Sequence, residues 1–297
     1  MSFFNKISLN CGNIMTSPKT ILAAHNLHPK KKFGQNFLHD PSSAERIVTL
    51  SKITSEDVVL EIGAGLGSLT IPAAKAAKKL YAVEKDGRLI NLLKTELFAN
   101  RLSNVELIEK DIMKFDIKNM AENAGRKITV IGNLPYNLSS QIIIRLIQLR
   151  SVLVKAVFMF QKELAQRITA QPGSKDYGRL TVMLNYCTTI KKLADFEAHQ
   201  FFPKPKVDSQ LLEIGFPETI KYPADDEELL FRVIKGGFCQ RRKTLRNALA
   251  GSEMDIDTKT AQNMLDEAGI DSSLRAEALT ISQFVTLSNT FKRLQSL

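Results

Sequence analysis

From about Glu56 onward, short apolar runs alternate with longer amphipathic stretches. "DVVLEIG", "LYAVEKD", "VELIEKD", "KITVIGN" and "KAVFMFQ" read as strands. Between the first three, "SLTIPAAKAAKK" and "GRLINLLKTELFAN" repeat apolar positions at helical spacing. Such alternation predicts an α/β fold, a parallel sheet covered by helices on both faces. "DSQLLEIGF" reads as a late strand of the same sheet. The pattern changes after "FPETIKYPADD". From Glu227 it is helical, in "EELLFRVIKGGFCQRRKTLRNALAG", "TKTAQNMLDEAG" and "SLRAEALTISQFVTLSNTFKRLQ", with Gly251 and Gly269 as helix ends. A boundary near residues 217–225 leaves an α/β domain over 31–217 and a small all-helical domain over 218–297. Residues 1–30 read as a flexible extension. They carry no acidic side chain, as in transit peptides, but no arginine either.

Composition narrows the partners. Lys and Arg number 41 against 31 Asp and Glu, a formal charge of +10. That excess points to a polyanion, either nucleic acid or an anionic membrane surface. No apolar run approaches the roughly 20 residues that span a bilayer. Cys11, Cys187 and Cys239 are scattered, which fits a reducing, cytoplasmic compartment and no disulfide framework. The four histidines lack ligand spacing, so no metal site is expected.

The candidate chemistry sits at predicted strand ends. "LEIGAGLGSLT" places Gly63, Gly65 and Gly67 between a strand and a helix, where backbone can approach a ligand closely. Ser68 breaks the dinucleotide spacing G-x-G-x-x-G. The second strand ends at Glu84, placed to accept from ribose hydroxyls, and the third ends near Asp111. Each alone is an ordinary loop carboxylate; together with the glycine turn they favour a nucleoside-containing cofactor. The fourth strand runs into "VIGNLPYNLSS". There the Asn133 side-chain oxygen and a nearby carbonyl, that of Leu134, can accept both hydrogens of an exocyclic amine. Tyr136 can stack on the base, and Pro135 stiffens the loop. Two acceptors on an adenine amine favour pyramidal nitrogen, which frees a lone pair otherwise delocalised into the ring.

"GNLPY" resembles the signature of S-adenosylmethionine-dependent adenine-N6 methyltransferases. More narrowly, the chain resembles the ribosomal RNA adenine dimethyltransferases of the bacterial small-subunit type. "KKFGQNFLHD", "LEIGAGLGSLT", "VEKD", "EKDIMKFD", "GNLPYNLSS", "FQKELAQRI", "YGRLTVM", "FPKPKVDS" and "QRRKTLRNAL" follow that family's order from about Lys31 to the C-terminus. The resemblance implies a Rossmann-like methyltransferase sheet, S-adenosylmethionine as cofactor, and transfer to two adjacent adenines near the 3′ end of small-subunit RNA. The expected partner is an immature small subunit, the expected state a monomer, with no membrane association. Asn36, Leu38, Gly63, Glu84, Asp111 and Asn133 are implied as cofactor contacts. Asn133, Leu134, Tyr136 and Phe201 are implied at the target base, with the choice between Phe201 and Phe202 left open by the doubled phenylalanine. Arg242, Lys243 and Arg246 are expected to contact RNA, with Arg242 and Arg246 on one helix face and Lys243 adjoining. Lys30, Lys31 and Lys32 add candidate phosphate contacts. Alternatives are a large-subunit methyltransferase of the antibiotic-resistance branch, a mitochondrial relative, and an assembly factor for which methylation is secondary.

Overall fold

The structure is a computed structural model that describes residues 17–30, 33–135 and 137–295. In chain order its elements begin with α1 (Pro18–Ala24), β1 (Phe37–Leu38), α2 (Pro41–Ser51), β2 (Val58–Ile62), α3 (Thr70–Ala76) and β3 (Lys79–Glu84). They continue with α4 (Gly87–Ala99), β4 (Val105–Glu109), α5 (Ile117–Asn123), β5 (Ile128–Asn133), α6 (Ser139–Gln148) and β6 (Leu153–Gln161). Next come α7 (Lys162–Ile168), α8 (Arg179–Cys187), β7 (Thr189–Phe196), β8 (Phe201–Phe202) and β9 (Ser209–Gly215). The C-terminal helices are α9 (Glu227–Gly237), α10 (Leu245–Ala250), α11 (Thr258–Glu267) and α12 (Ile281–Gln295). Among the described residues no helix is long and apolar enough to cross a membrane.

Two compact units divide the chain. The first comprises the chain through Asp116, Ile128–Pro135 and Phe196–Lys206. Its four main-sheet strands lie in the order β4-β3-β2-β5 and are parallel. Every residue of β2 is buried, as is β5 up to Gly132, because helical crossovers cover a parallel sheet on both faces. Register levels the carboxyl ends: Ile62 lies opposite Val83, Glu84 opposite Glu109, and Glu61 opposite Ile131. Gly132 sits at this level, where a Cβ would come 2.6 Å from the Ile62 carbonyl oxygen, so only glycine fits.

The N-terminal expectation changes for the residues described. Residues 1–16 lie outside them, but Pro18–Ala24 form a helix rather than part of a flexible extension. Ile21 and Leu22 are buried with Phe37, Leu66 and Leu89, and Leu27, Leu92 and Phe202 pack against that cluster. Burying these apolar side chains offsets the entropy of ordering a short helix. A two-residue antiparallel pair, Phe37 with Phe202 and Leu38 with Phe201, ties the start of this unit to its last segment.

The second unit comprises Ile117–Lys127, Tyr136–Asp195 and Val207–Leu297. Its strands lie in the order β6-β9-β7, and β9 runs antiparallel to β6 from Lys155 opposite Gly215 to Gln161 opposite Ser209. The late strand is therefore present but reversed, a direction that hydrophobicity alone does not encode. The C-terminal pattern is helical, yet "FRVIKGGFCQRRKTLRNAL" is not one helix. α9 ends at Gly237 and α10 starts at Leu245 behind an extended Thr244. Arg242 and Lys243 lie in the intervening turn, closed by Lys243 N–H donating to the Gln240 carbonyl at 3.0 Å, while Arg246 lies on α10. The shared helix face is thus replaced by a turn and a helix start. The physical reason is the Gly236-Gly237 pair. Glycine weakens helix continuation and admits close neighbours: a Cβ would come 2.9 Å from Ser252 Oγ at position 236 and 3.1 Å from Leu245 Cδ1 at position 237.

Candidate cofactor and target-base site

The level strand ends of the first unit carry most of the predicted site. Gly63, at φ +79°, follows β2 directly, and a Cβ there would have only the Asn133 carbonyl oxygen within 4 Å, at 3.9 Å. The turn therefore leaves approach to its backbone open. Glu84, at the end of β3, is 8% exposed. Its Oε2 accepts from Gly65 N–H at 2.9 Å and its Oε1 from Asp86 N–H at 2.8 Å. Burial pushes its carboxyl above the usual range, against the opposing effect of the Asp86 and Gly65 N–H groups. Each oxygen retains acceptor capacity beyond these bonds. Asp111 follows β4, with Oδ2 accepting from Lys85 Nζ at 2.7 Å and Oδ1 from Met113 N–H at 3.0 Å. The Lys85 ammonium, then the Met113 N–H, holds its carboxyl low.

Asn133 ends β5 half-buried, and its Nδ2 donates to the Asn36 carbonyl at 2.7 Å. A carbonyl can only accept, so this bond fixes which end of the amide faces Asn36 and leaves Oδ1 as its acceptor. Asn36 turns its own Nδ2 to the Gly34 carbonyl at 3.2 Å. Leu38 and Leu134 are buried. Phe201 is 2% exposed, whereas Phe202 packs on the cluster containing Phe37 and Leu66. Neighbouring strand residues point to opposite faces, so Phe201 is not committed to that cluster. The structure therefore brings Asn36, Leu38, Gly63, Glu84, Asp111, Asn133, Leu134 and Phe201 into one unit. Tyr136, like Lys31 and Lys32, lies outside the described residues.

In the second unit Arg242 and Lys243 are exposed, and Arg246 is partly buried with Nη1 donating to Gln262 Oε1 at 3.2 Å. Arg241, outside the original set, donates to the Lys175 carbonyl.

Sequence reasoning passed over two carboxylates. Asp86 is 3% exposed and gathers Lys30, Gln35 and Arg88 around it. It lies two residues past Glu84, and a carboxylate following a predicted ligand position was the available signal. Glu61, next to last in β2, is 1% exposed, a position where apolar patterning makes a carboxylate conspicuous. Burial, with the Glu84 charge adding to it, pushes its carboxyl up to about 7. The unfolded chain releases this proton near 4.5. Between those values the native state holds more protons, so its stability falls as pH rises. Glu61→Gln is expected to raise stability at alkaline pH, by at most roughly 3 kcal/mol, with little change in acid below the unfolded value. Thermal melts of both proteins across that range check this; parallel curves would contradict it.

Comparison with known proteins bears on the family and the fold. Residues 26–293 match the family model described as ribosomal RNA adenine dimethylase. The ribosomal RNA small subunit methyltransferase A of Desulforapulum autotrophicum is 52% identical over 93% of this chain and 96% of its own length. Its counterpart in Magnetococcus marinus is 43% identical over 92% and 95%. Among solved structures, a dimethyladenosine transferase from Plasmodium falciparum superposes with a TM-score of 0.72 at 27% identity, covering 84% of this chain and 95% of that one. The 23S rRNA methyltransferase ErmE shares the fold with a TM-score of 0.64 at 22% identity, over 86% and 100%. The α/β arrangement is thus shared with the solved dimethyladenosine transferase, and the chain belongs to the ribosomal RNA adenine dimethylase family.

Proposed function

We propose that this protein transfers methyl groups from S-adenosylmethionine to N6 of two adjacent adenines near the 3′ end of small-subunit (16S) ribosomal RNA, giving N6,N6-dimethyladenines during subunit assembly. The observation that carries the reading is the amide of Asn133, turned by the Asn36 carbonyl so that Oδ1 is left as its acceptor, at the strand end next to the Gly63 turn. The 52% identity to a small-subunit methyltransferase supports the choice of RNA.

The residues present fit S-adenosylmethionine. Glu84 is a buried carboxylate with spare acceptor capacity suited to ribose hydroxyls, and the open backbone at Gly63 suits the methionine part. Asp111 suits the adenine end, and Asn36, Leu38 and Asn133 complete the wall. When bound, the cofactor supplies the activated methyl group. Asn133 Oδ1 and the Leu134 carbonyl each accept one hydrogen of the target amine and so orient its nitrogen. Phe201 and Tyr136, three residues beyond Asn133, hold the flipped base by its faces. Holding the two reactants aligned supplies much of the rate, by about 7–11 kcal/mol in well-oriented systems.

In the second unit Arg242, Lys243 and Arg246 neutralise RNA phosphates, in keeping with the excess of basic residues over the whole chain. The substrate is an immature small subunit, the protein acts as a monomer, and its place is the cytoplasm, where subunits are assembled. Primer extension on small-subunit RNA from cells lacking the protein tests the assignment. Two adjacent reverse-transcription stops near the 3′ end are expected to disappear and to return with the wild-type chain. Stops that persist without the protein would contradict it.

A further inference from the structure

Asp86 lies at the junction of both halves of the site. Its backbone N–H holds Glu84 Oε1. Its side-chain Oδ1 accepts from Lys30 Nζ at 3.3 Å and Arg88 Nε at 2.9 Å, and its Oδ2 from Gln35 Nε2 at 3.2 Å and Arg88 Nη2 at 2.6 Å. A carboxylate this deeply buried persists in the charged form only when it is compensated in this way. Gln35 is held at both ends. Its Nε2 is on Asp86, and its Oε1 accepts from Lys30 N–H at 2.7 Å. The amide cannot be reversed without facing like against like, so Lys30 and Gln35 are both tied to Asp86. The next residue is Asn36, whose carbonyl sets the amide of Asn133.

We propose that Asp86 is a positioning residue for methyl transfer, acting through Gln35 and the Asn36 carbonyl to keep Asn133 Oδ1 turned toward the target amine. This rests on the role proposed for Asn133. The orientation has two states that matter. With the Asn36 carbonyl in place, Asn133 presents an acceptor. With that carbonyl displaced, the amide is free to rotate and present a donor to an amine that itself donates. The Asp86 backbone N–H braces Glu84 while its side chain holds Gln35, so one residue links the cofactor end to the amine end. A 1 Å misplacement between such ends can cost about 10²-fold in rate.

The test uses Asp86→Ala, Gln35→Ala, the double variant and the exchanged pair Gln35→Glu with Asp86→Asn. Gln35→Ala leaves the carboxylate with Lys30 and Arg88, so it keeps the test open if Asp86→Ala fails to fold. Each single variant is expected to lower kcat on small subunits by about 10²-fold, with KM for RNA little changed. The double variant should fall no further, since both act along one path. The exchanged pair should recover part of the loss. Independently of activity, the side-chain amide resonances of Asn133 in the cofactor-free protein should move toward those of an unbonded asparagine in both single variants. Wild-type kcat in Gln35→Ala, additive losses in the double variant, or an unmoved Asn133 amide signal would overturn the proposal. Wild-type kcat in Asn133→Ala would defeat the reading beneath it, while the amide signal would still decide whether Asp86 sets that side chain.

Discussion

Asn133→Ala is expected to lower kcat by about 10²–10³-fold, the loss seen when one preorganised polar group at a reacting centre is removed. Nothing in the fold depends heavily on the side chain. Asn133 is half-buried at a strand end, and its one described side-chain bond is to the Asn36 carbonyl, which water can satisfy in its place. RNA affinity should therefore survive, and cofactor affinity should soften only slightly because Asn133 borders both ligands. Single-turnover assays with saturating substrate separate the chemical step from binding. Asn133→Asp sharpens the test. It retains an acceptor but puts a second oxygen against the Asn36 carbonyl, so the orientation is lost while the acceptor is kept. A large loss in this variant assigns the effect to orientation, and full activity would remove the need for the amide.

Glu84→Ala should weaken S-adenosylmethionine binding by roughly 10–100-fold, since a hydrogen bond to a charged group contributes about 1.5–3 kcal/mol. The same substitution strips the Gly65 and Asp86 N–H groups of their acceptor, so the turn around the cofactor loosens as well. Glu84→Gln keeps one acceptor oxygen and should fall between wild type and alanine. Calorimetry on folded protein decides this without any assay of turnover. Wild-type affinity in a folded Glu84→Ala variant would mean that the strand-end carboxylate does not hold the cofactor.

Much of this site was legible because it is built at strand ends. β2, β3 and β5 are short, largely buried runs and β4 a half-exposed one, and where each stops, the chain turns at the carboxyl edge of the sheet. Gly63, Glu84, Asp111 and Asn133 were singled out that way, and the structure places each at or just past a strand end. The edge strand β7 was not found. Its sequence "TIKKLADF" carries Lys191 and Lys192, a charge pattern that protects a sheet edge and masks the strand. The pair of β1 and β8 is two residues on each side, too short for any periodicity, yet it joins Phe37 and Leu38 to Phe202 and Phe201. Asp86 was hidden for another reason. Its partners Lys30 and Gln35 are more than fifty positions away, and no local pattern records a contact of that kind. The break between α9 and α10 was visible in Gly236-Gly237, but helical periodicity on either side outweighed it.

The central claim is that a small-subunit adenine, not any accessible adenine, is brought to Asn133. Reaching the site requires the base to leave its stack, at a cost of a few kcal/mol that is smallest in unpaired RNA, while phosphate contacts over a larger RNA surface offset that cost. Purified immature small subunits, large-subunit RNA and a short hairpin carrying the same adenines should be incubated side by side with labelled S-adenosylmethionine, and the products mapped by mass spectrometry. The account predicts two methyl groups on each of two neighbouring adenines in the small subunit, with poor labelling of the other two RNAs. Comparable turnover on the hairpin, or selective labelling of large-subunit RNA, would contradict it.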